Sequence, residues 1–294
     1  MNAPRVLVIG EALIDIVDGT EIVGGSPANV ALGLGRLGID VDLLTAIGSD
    51  DRGRRITEHL GESGVTVLPE SLCLEQTSTA RASIGPDGSA AYDFDIEWKL
   101  PLSGADEHDI VHVGSIACFL EPGADDVVAA VRRAAASGQK VTFDPNIRPA
   151  LLGGIDARRR AEELMKIASA VKLSDEDAAF LYPDLPVGPV LDRILSLGPQ
   201  VVAVTEGGAG AVIASVDHRV RVPAPTVSVA DTVGAGDTFM ASLVASLADF
   251  EDWTLTAAEL EAVLRRCVAA AAVTVSRAGA DLPWREEIVG SGIA

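Results

Sequence analysis

Residues 231–247 read DTVGAGDTFMASLVASL, a glycine-flanked turn set directly against a helical pattern. Gly234, Ala235 and Gly236 precede Asp237, and behind it Phe239, Leu243 and Leu247 recur at every fourth position with Met240 and Val244 beside them. That spacing predicts an apolar helix face. Capping alone accounts for such a start, since Asp favours helix starts and Gly favours turns. The chemical alternative is an oxyanion site, in which the first-turn N–H groups and the positive end of the helix dipole converge on an anion. Asp237 beside it is a modest base. A loose phosphoryl-transfer transition state needs an oriented hydroxyl more than early deprotonation. An anion hole next to a carboxylate therefore suits the movement of a phosphoryl group to an alcohol.

Two other loops carry polar groups at useful positions. GGSPAN (24–29) puts two glycines, a proline and an asparagine directly before a helix. As a plain turn it places Pro27 in the first helical turn. As a binding loop it lets a ligand approach the backbone, with Asn29 offering a donor and an acceptor to a polyol. FDPNIRP (143–149) follows a strand pattern and presents Asp144, Asn146 and Arg148 between two prolines. It is either a structural turn or a site where the Arg148 guanidinium meets an oxyanion.

Three familiar patterns lead elsewhere. GLGRLG (33–38) matches GxGxxG, but ANVAL before it reads as helix and not strand, and Gly38 reads as the helix stop. It is a decoy, and a dinucleotide oxidoreductase stands on nothing else. His108 and His112 flank a strand pattern, where positions four apart lie about 13 Å from each other, so core or surface histidines are expected and not metal ligands. No GxxxxGK[ST] occurs, and the protein-kinase signatures are missing as well.

The elements that must position these loops alternate. Strands are expected at 6–10, 41–48, 110–115, 140–145, 170–174, 201–207 and 210–215, with helices at 29–37, 52–62, 124–136, 156–167 and 188–197. This predicts an α/β fold, a mostly parallel sheet with helices on both faces and ligands beyond the carboxyl ends of the strands. One region departs from the alternation. GPDG (85–88) lies between two extended runs, and Tyr92, Phe94, Ile96 and Trp98 alternate with Asp93, Asp95 and Glu97. That is a hairpin with one apolar and one acidic face. With the extended segment 11–24, where Leu13, Asp15 and Val17 share a side, it makes a small antiparallel sheet that acts as a lid, an interface or both.

The 294 residues are 48% apolar, enough for one large core. The formal charge of −20 argues against nucleic acid or an anionic membrane as partner. Cys73, Cys118 and Cys267 form no CxxC pair and read as reduced, buried thiols of a cytoplasmic protein. RVLVIG at the start is too short for a signal sequence, and the run 268–275 is too short to span a bilayer.

These motifs converge on one family. GGSPANVALGLGRLG, VADTVGAGDTFMASL, KLSDEDAAFL, VTEGGAGA and VSRAGADLPWREEI resemble, in type and order, the signatures of the ribokinase-like (PfkB-type) carbohydrate kinases. GEALIDIV, GGSPAN and FDPNIRPAL most resemble the bacterial fructokinases among them. The resemblance implies a ribokinase-like core over residues 1–10, 28–77 and 102–294 that carries the ATP site. It implies a β lid over the sugar from residues 11–27 and 78–101. It implies an ATP-dependent sugar kinase acting on D-fructose to give D-fructose 6-phosphate, with Mg2+ on the nucleotide. By match, Asp237 takes the place of the catalytic base and Gly234, Ala235 and Gly236 that of the anion hole. Asp15, Gly24, Gly25, Asn29, Phe94 and Arg148 fall at sugar-side positions, and Lys172, Ser174, Thr205, Gly207 and Gly210 at ATP-side positions. Asp231 with the Val233 backbone matches a K+ site, and Asp177 reaches magnesium through water. Where the family reads NxxE this chain has Ser174 and Asp177, which puts the magnesium role of that segment in doubt. A 2-keto-3-deoxygluconate kinase, a ribokinase, a nucleoside kinase and a non-catalytic sugar sensor are the alternatives. A homodimer through the lid is expected.

Overall fold

A computed structural model describes residues 4–84, 90–100 and 107–290 of the chain. Its centre is a nine-stranded sheet. From edge to edge this runs Arg219–Val222, Ala211–Ala214, Val201–Thr205, Ala170–Ser174, Lys140–Asp144, Ile110–Gly114, Arg5–Ile9, Asp40–Leu44 and Val65–Val67. Pairing is parallel from Val201–Thr205 through to Val65–Val67 and antiparallel at the first two strands. The parallel strands are short continuous apolar runs because helices cover both faces. Alternation along each strand then divides the core in two. Leu7, Ile9, Val111, Val113, Val171 and Leu173 point to one side. Val6, Val8, Val41, Leu43, Val201 and Ala203 point to the other.

Strand order reverses beside Arg5–Ile9. From there the chain runs outward through Asp40–Leu44 and Val65–Val67, then returns to the opposite flank at Ile110–Gly114. The crevice beyond the carboxyl ends of such neighbours is the switch point at which open α/β sheets bind ligands. Glu11 and Ser115 stand at its two lips.

The segments 11–27 and 78–101 contain the strands of a second sheet, ordered Thr20–Gly24, Leu13–Val17, Thr79–Ile84 and Ala90–Asp95. Its two outer pairings are antiparallel hairpins, and a parallel pairing of Ile14 with Thr79 joins them. The register sets Ile22, Asp15, Ala80 and Phe94 in one row across the four strands. Directly opposed residues share a face, so Phe94 lies on the face of Asp15. Ile14 and Ile16, on the other face, are buried in the core. Glu21, also on that side, bridges Arg52 and Arg55 of the helix Asp51–Gly61. The aromatic alternation does not run its full length as strand: it stops at Asp95, and Trp98 is buried with its indole N–H donating to the Ala117 carbonyl at 3.0 Å. The GPDG turn falls outside the described residues.

GLGRLG lies inside the helix Ser26–Arg36 and its C-terminal turn. Gly33 is there for packing, since a β-carbon on it would stand 2.7 Å from that of Ala241 in the helix Ala235–Leu247. The helix Ala257–Val275, not anticipated as an element, starts on a reciprocal cap between Thr256 and Glu259. Cys118 and Cys267 are buried free thiols, whereas Cys73 is only half-buried. Among the described residues no helix is long and apolar enough to cross a membrane.

Candidate active site

The GAGD turn forms because Gly234 takes a left-handed backbone (φ 78°), which redirects the chain into the helix Ala235–Leu247. Ala235 N–H closes onto the Thr232 carbonyl at 3.3 Å. The N–H groups of Gly236 and Asp237 follow at the head of the helix, ahead of any helical acceptor. Asp237 is buried, and both its oxygens are addressed by the helix Ser26–Arg36: Ser26 Oγ donates to Oδ1 at 2.6 Å and Asn29 Nδ2 to Oδ2 at 2.8 Å. Close packing of those two helices across Gly33 brings residues more than 200 positions apart together. Asn29 therefore faces Asp237 with its amide, and Ser26, which the motif reading passed over, completes the clamp.

Of the two glycines ahead of that helix, Gly25 is required by the backbone, and Gly24 makes room for the Asp15 side chain. A β-carbon on Gly24 would fall 2.0 Å from Asp15 Oδ2, and one on Gly25 would fall 2.5 Å from the Glu11 carbonyl. Gly25 also has φ 105°. The space they free is thus taken by the chain's own carboxylate and backbone. Asp15 is half-buried, and burial raises its pKa while Arg148 opposes the rise.

Glu11 lies at the switch point. Its Oε2 accepts from Ala117 N–H at 3.2 Å and it also bonds the Ser115 hydroxyl. Burial pushes its carboxyl from an ordinary 4.5 up to about 7, with Ser115, the Ala117 N–H and Arg148 acting against that rise. Nothing in the sequence marked Glu11, because a lone acid after a strand has many uses.

The FDPNIRP loop is held at two points. Asp144 Oδ2 pairs with Lys172 Nζ at 2.9 Å, both groups buried, and Asp177 Oδ1 accepts from Ile147 N–H at 2.8 Å. Between them Asn146 adopts a left-handed backbone (φ 37°), a conformation Asn tolerates. The result presents Arg148 at the surface of the crevice, near enough to Glu11 and Asp15 to influence both. Burial lifts Asp144 to about 6, Lys172 opposing and Asp177 and Asp237 adding to it. Burial likewise weakens the Lys172 ammonium, but Asp144, Asp177 and Asp237 outweigh it and hold its pKa above the ordinary value. Lys172 Nζ lies 3.1 Å from where a β-carbon on Gly236 would stand, so it sits under the GAG turn.

The Ser174/Asp177 departure proves to be a helix cap. Ser174 Oγ accepts from Asp177 N–H at 3.0 Å and Asp177 Oδ2 accepts from Ser174 N–H at 3.2 Å. Thr205 is the register neighbour of Ser174 on the next strand, followed by the turn Gly207–Ala209 and Gly210 at φ 101°. These form one ledge along the carboxyl edge of the sheet. Asp231, half-exposed, ties two loops: Oδ1 accepts from Val233 N–H at 3.1 Å and Oδ2 from Gly279 N–H at 2.9 Å. Those bonds hold its pKa below the ordinary value. The histidines do not meet: His108 bonds Asp42 and His112 bonds Thr142, and burial drives His112 down to about 3. Among the described residues no cluster of three or more His, Cys, Asp or Glu could hold a metal.

Comparison with known proteins gives consistent results. The profile described as pfkB family carbohydrate kinase matches residues 4–287. A fructokinase of Salmonella typhimurium is 33% identical over 98% of this chain and 99% of its own. A crystal structure of a fructokinase with bound ATP from Xylella fastidiosa superposes with a TM-score of 0.85 at 25% identity, covering 97% of each chain. A fructokinase of Vibrio cholerae O395, in its fructose-, ADP- and calcium-ion-bound form, gives 0.85 at 25% identity over 98% of each chain.

Proposed function

The chain belongs to the pfkB family of carbohydrate kinases, and on that premise we propose that it transfers the γ-phosphoryl group of ATP to the primary hydroxyl of D-fructose, giving D-fructose 6-phosphate and ADP. The observation that carries this reading is Asp237, buried at the head of the GAG turn and fixed on both oxygens by Ser26 and Asn29. The sugar lies in the switch-point crevice under the row of Asp15 and Phe94. Its hydroxyl oxygen attacks phosphorus as the bond to the ADP oxygen breaks, and the hydroxyl proton passes to Asp237. The first-turn N–H groups take up the charge on the transferred group. Closure of the lid keeps out water, the competing acceptor.

ATP occupies the ledge of Ser174, Thr205, Gly207 and Gly210. A magnesium ion would supply charge neutralisation on its phosphates. The fit is of the kind Mg2+ favours, with phosphate and water as most ligands and few carboxylates. Asp177, held by Ser174 and the Ile147 N–H, is the acid at hand. Asp231 and the Val233 backbone are the position for a potassium ion. Turnover in potassium above that in sodium at equal ionic strength is the expected result, and equal rates would remove Asp231 from that role.

Arg148 is already flanked by Glu11 and Asp15, which favours a neutral sugar over an acid such as 2-keto-3-deoxygluconate. A second copy of the chain over the row containing Ile22, which is 52% exposed, makes a homodimer. The test is coupled ADP release with fructose, ribose, 2-keto-3-deoxygluconate, glucose and adenosine. Fructose should give the highest kcat/KM. A higher value for another acceptor overturns fructose alone, and no ADP release with any of them returns the sugar sensor.

A further inference from the structure

We infer that Lys172, gripped by Asp144, is the fixed positive charge behind the anion hole, a positioning residue that acts on the transferred phosphoryl group through the Gly236 turn. The inference rests on the kinase reading above and extends it. The geometry is specific. The ammonium is buried, 2.9 Å from Asp144 Oδ2, and 3.1 Å from where a β-carbon on Gly236 would stand. An alanine there would press on the ammonium, so the second glycine of GAGD keeps room for a cation as well as for a turn.

Charge makes the same case. Asp144 pairs with Lys172, and the charges of Asp177 and Asp237 also act on it. Asp237 is committed to Ser26 and Asn29, and Asp177 to Ser174 and Ile147. Backbone dipoles ringed by three carboxylates would repel an arriving polyanion unless a cation stood among them. A preorganised charge in a low-dielectric site is worth more there than in water and needs no rearrangement during reaction. A purely structural ion pair should also have its hydrogen bonding saturated. Here Asp144 Oδ1 is buried with no partner among the described residues. The pair is finished only when the site is filled.

Three variants test this: Lys172→Met, Asp144→Asn and both together. Lys172→Met leaves a buried carboxylate unpaired and can fail to fold. The double variant removes both charges at similar volume and does not share that weakness. Kinetics are read with whichever acceptor the wild-type enzyme turns over fastest, so a wrong sugar does not touch the result. The expected result for the double variant is a melting temperature near wild type and kcat lowered about 100-fold, with KM for the sugar within about threefold. Asp144→Asn should lower kcat about tenfold, and Lys172→Met, where folded, no further than the double variant. Binding of ADP should persist in all three, while ADP with fluoroaluminate, a mimic of the transferred group, should lose its extra affinity. The inference is overturned by a folded double variant with kcat within threefold of wild type. A loss confined to KM for ATP overturns it too, as does a defect of Asp144→Asn cured by raising magnesium, which would put Asp144 on the ion.

Discussion

Asp237 shows how much a single side chain depends on its neighbours. The carboxylate is anchored from one side by Ser26 and Asn29, leaving the helix-head N–H groups of its own turn for a ligand. Asp237→Asn keeps the size and still accepts from Ser26, at a stability cost of about 1 kcal/mol for the imperfect match to Asn29. Loss of the proton acceptor should lower kcat by about 10²–10⁴-fold with ATP binding retained; titration calorimetry and ADP-release assays check the two halves. Glu11 makes a prediction about pH. Its carboxyl rises from 4.5 to about 7 on burial, so the folded state holds a proton that the unfolded state releases near 4.5. Stability on this account is greatest below that value and falls as the pH climbs to 7. A rise of that size corresponds to about 3 kcal/mol. Glu11→Gln should therefore be more stable than wild type in urea at pH 8 and lose that advantage at pH 4.5. An equal difference at both pH values would remove the carboxyl as its cause.

At the scale of elements, the lid sheet and the two packed helices have different tasks. The helices Ser26–Arg36 and Ala235–Leu247 meet at van der Waals distance across Gly33, which holds the Asp237 clamp rigid. The small sheet instead rests on the core through Ile14 and Ile16 and on ion pairs from Glu21, and its other face carries Asp15 and Phe94, the face proposed to cover the sugar. The ledge proposed for the nucleotide lies apart from it, at Thr205. Phe94→Ala should consequently raise KM for the sugar several-fold more than KM for ATP, since it removes apolar cover from one substrate only. Steady-state kinetics with each substrate varied in turn decide it, and equal changes would detach Phe94 from the sugar.

For the whole molecule, the formal charge of −20 is spread over a fold whose crevice is itself rich in acids, Glu11, Asp15, Asp144, Asp177 and Asp237 against Lys172 and Arg148. Anionic substrates must therefore arrive with cations. Like-charged copies also need apolar surface to associate, and the proposed dimer would find it at the exposed Ile22. Ile22→Arg should shift sedimentation from dimer to monomer at micromolar concentration while leaving the melting profile of the core unchanged. A wild-type protein that already sediments as a monomer would end the dimer proposal.

Much of this was legible in one dimension. Parallel strands buried on both faces are apolar runs, and glycine turns before helices are local, so the α/β alternation, the GAGD helix head and the decoy status of GLGRLG followed from residue order. Residues 257–275 were legible and passed over: Leu260, Val263, Leu264 and Cys267 recur at helical spacing on the buried side while Arg265 and Arg266 are exposed, and the alanine-rich second half hides the period. The clamp of Ser26 and Asn29 on Asp237, the burial of Glu11 between two strand ends and the seating of Lys172 under Gly236 were not legible at all. Each joins segments distant in the chain, up to 211 residues apart. Local propensity and periodicity describe a residue's own element, whereas a side chain's partner and its pKa depend on which elements the sheet order places side by side. That order, with its reversal beside Arg5–Ile9, exists only in the folded chain.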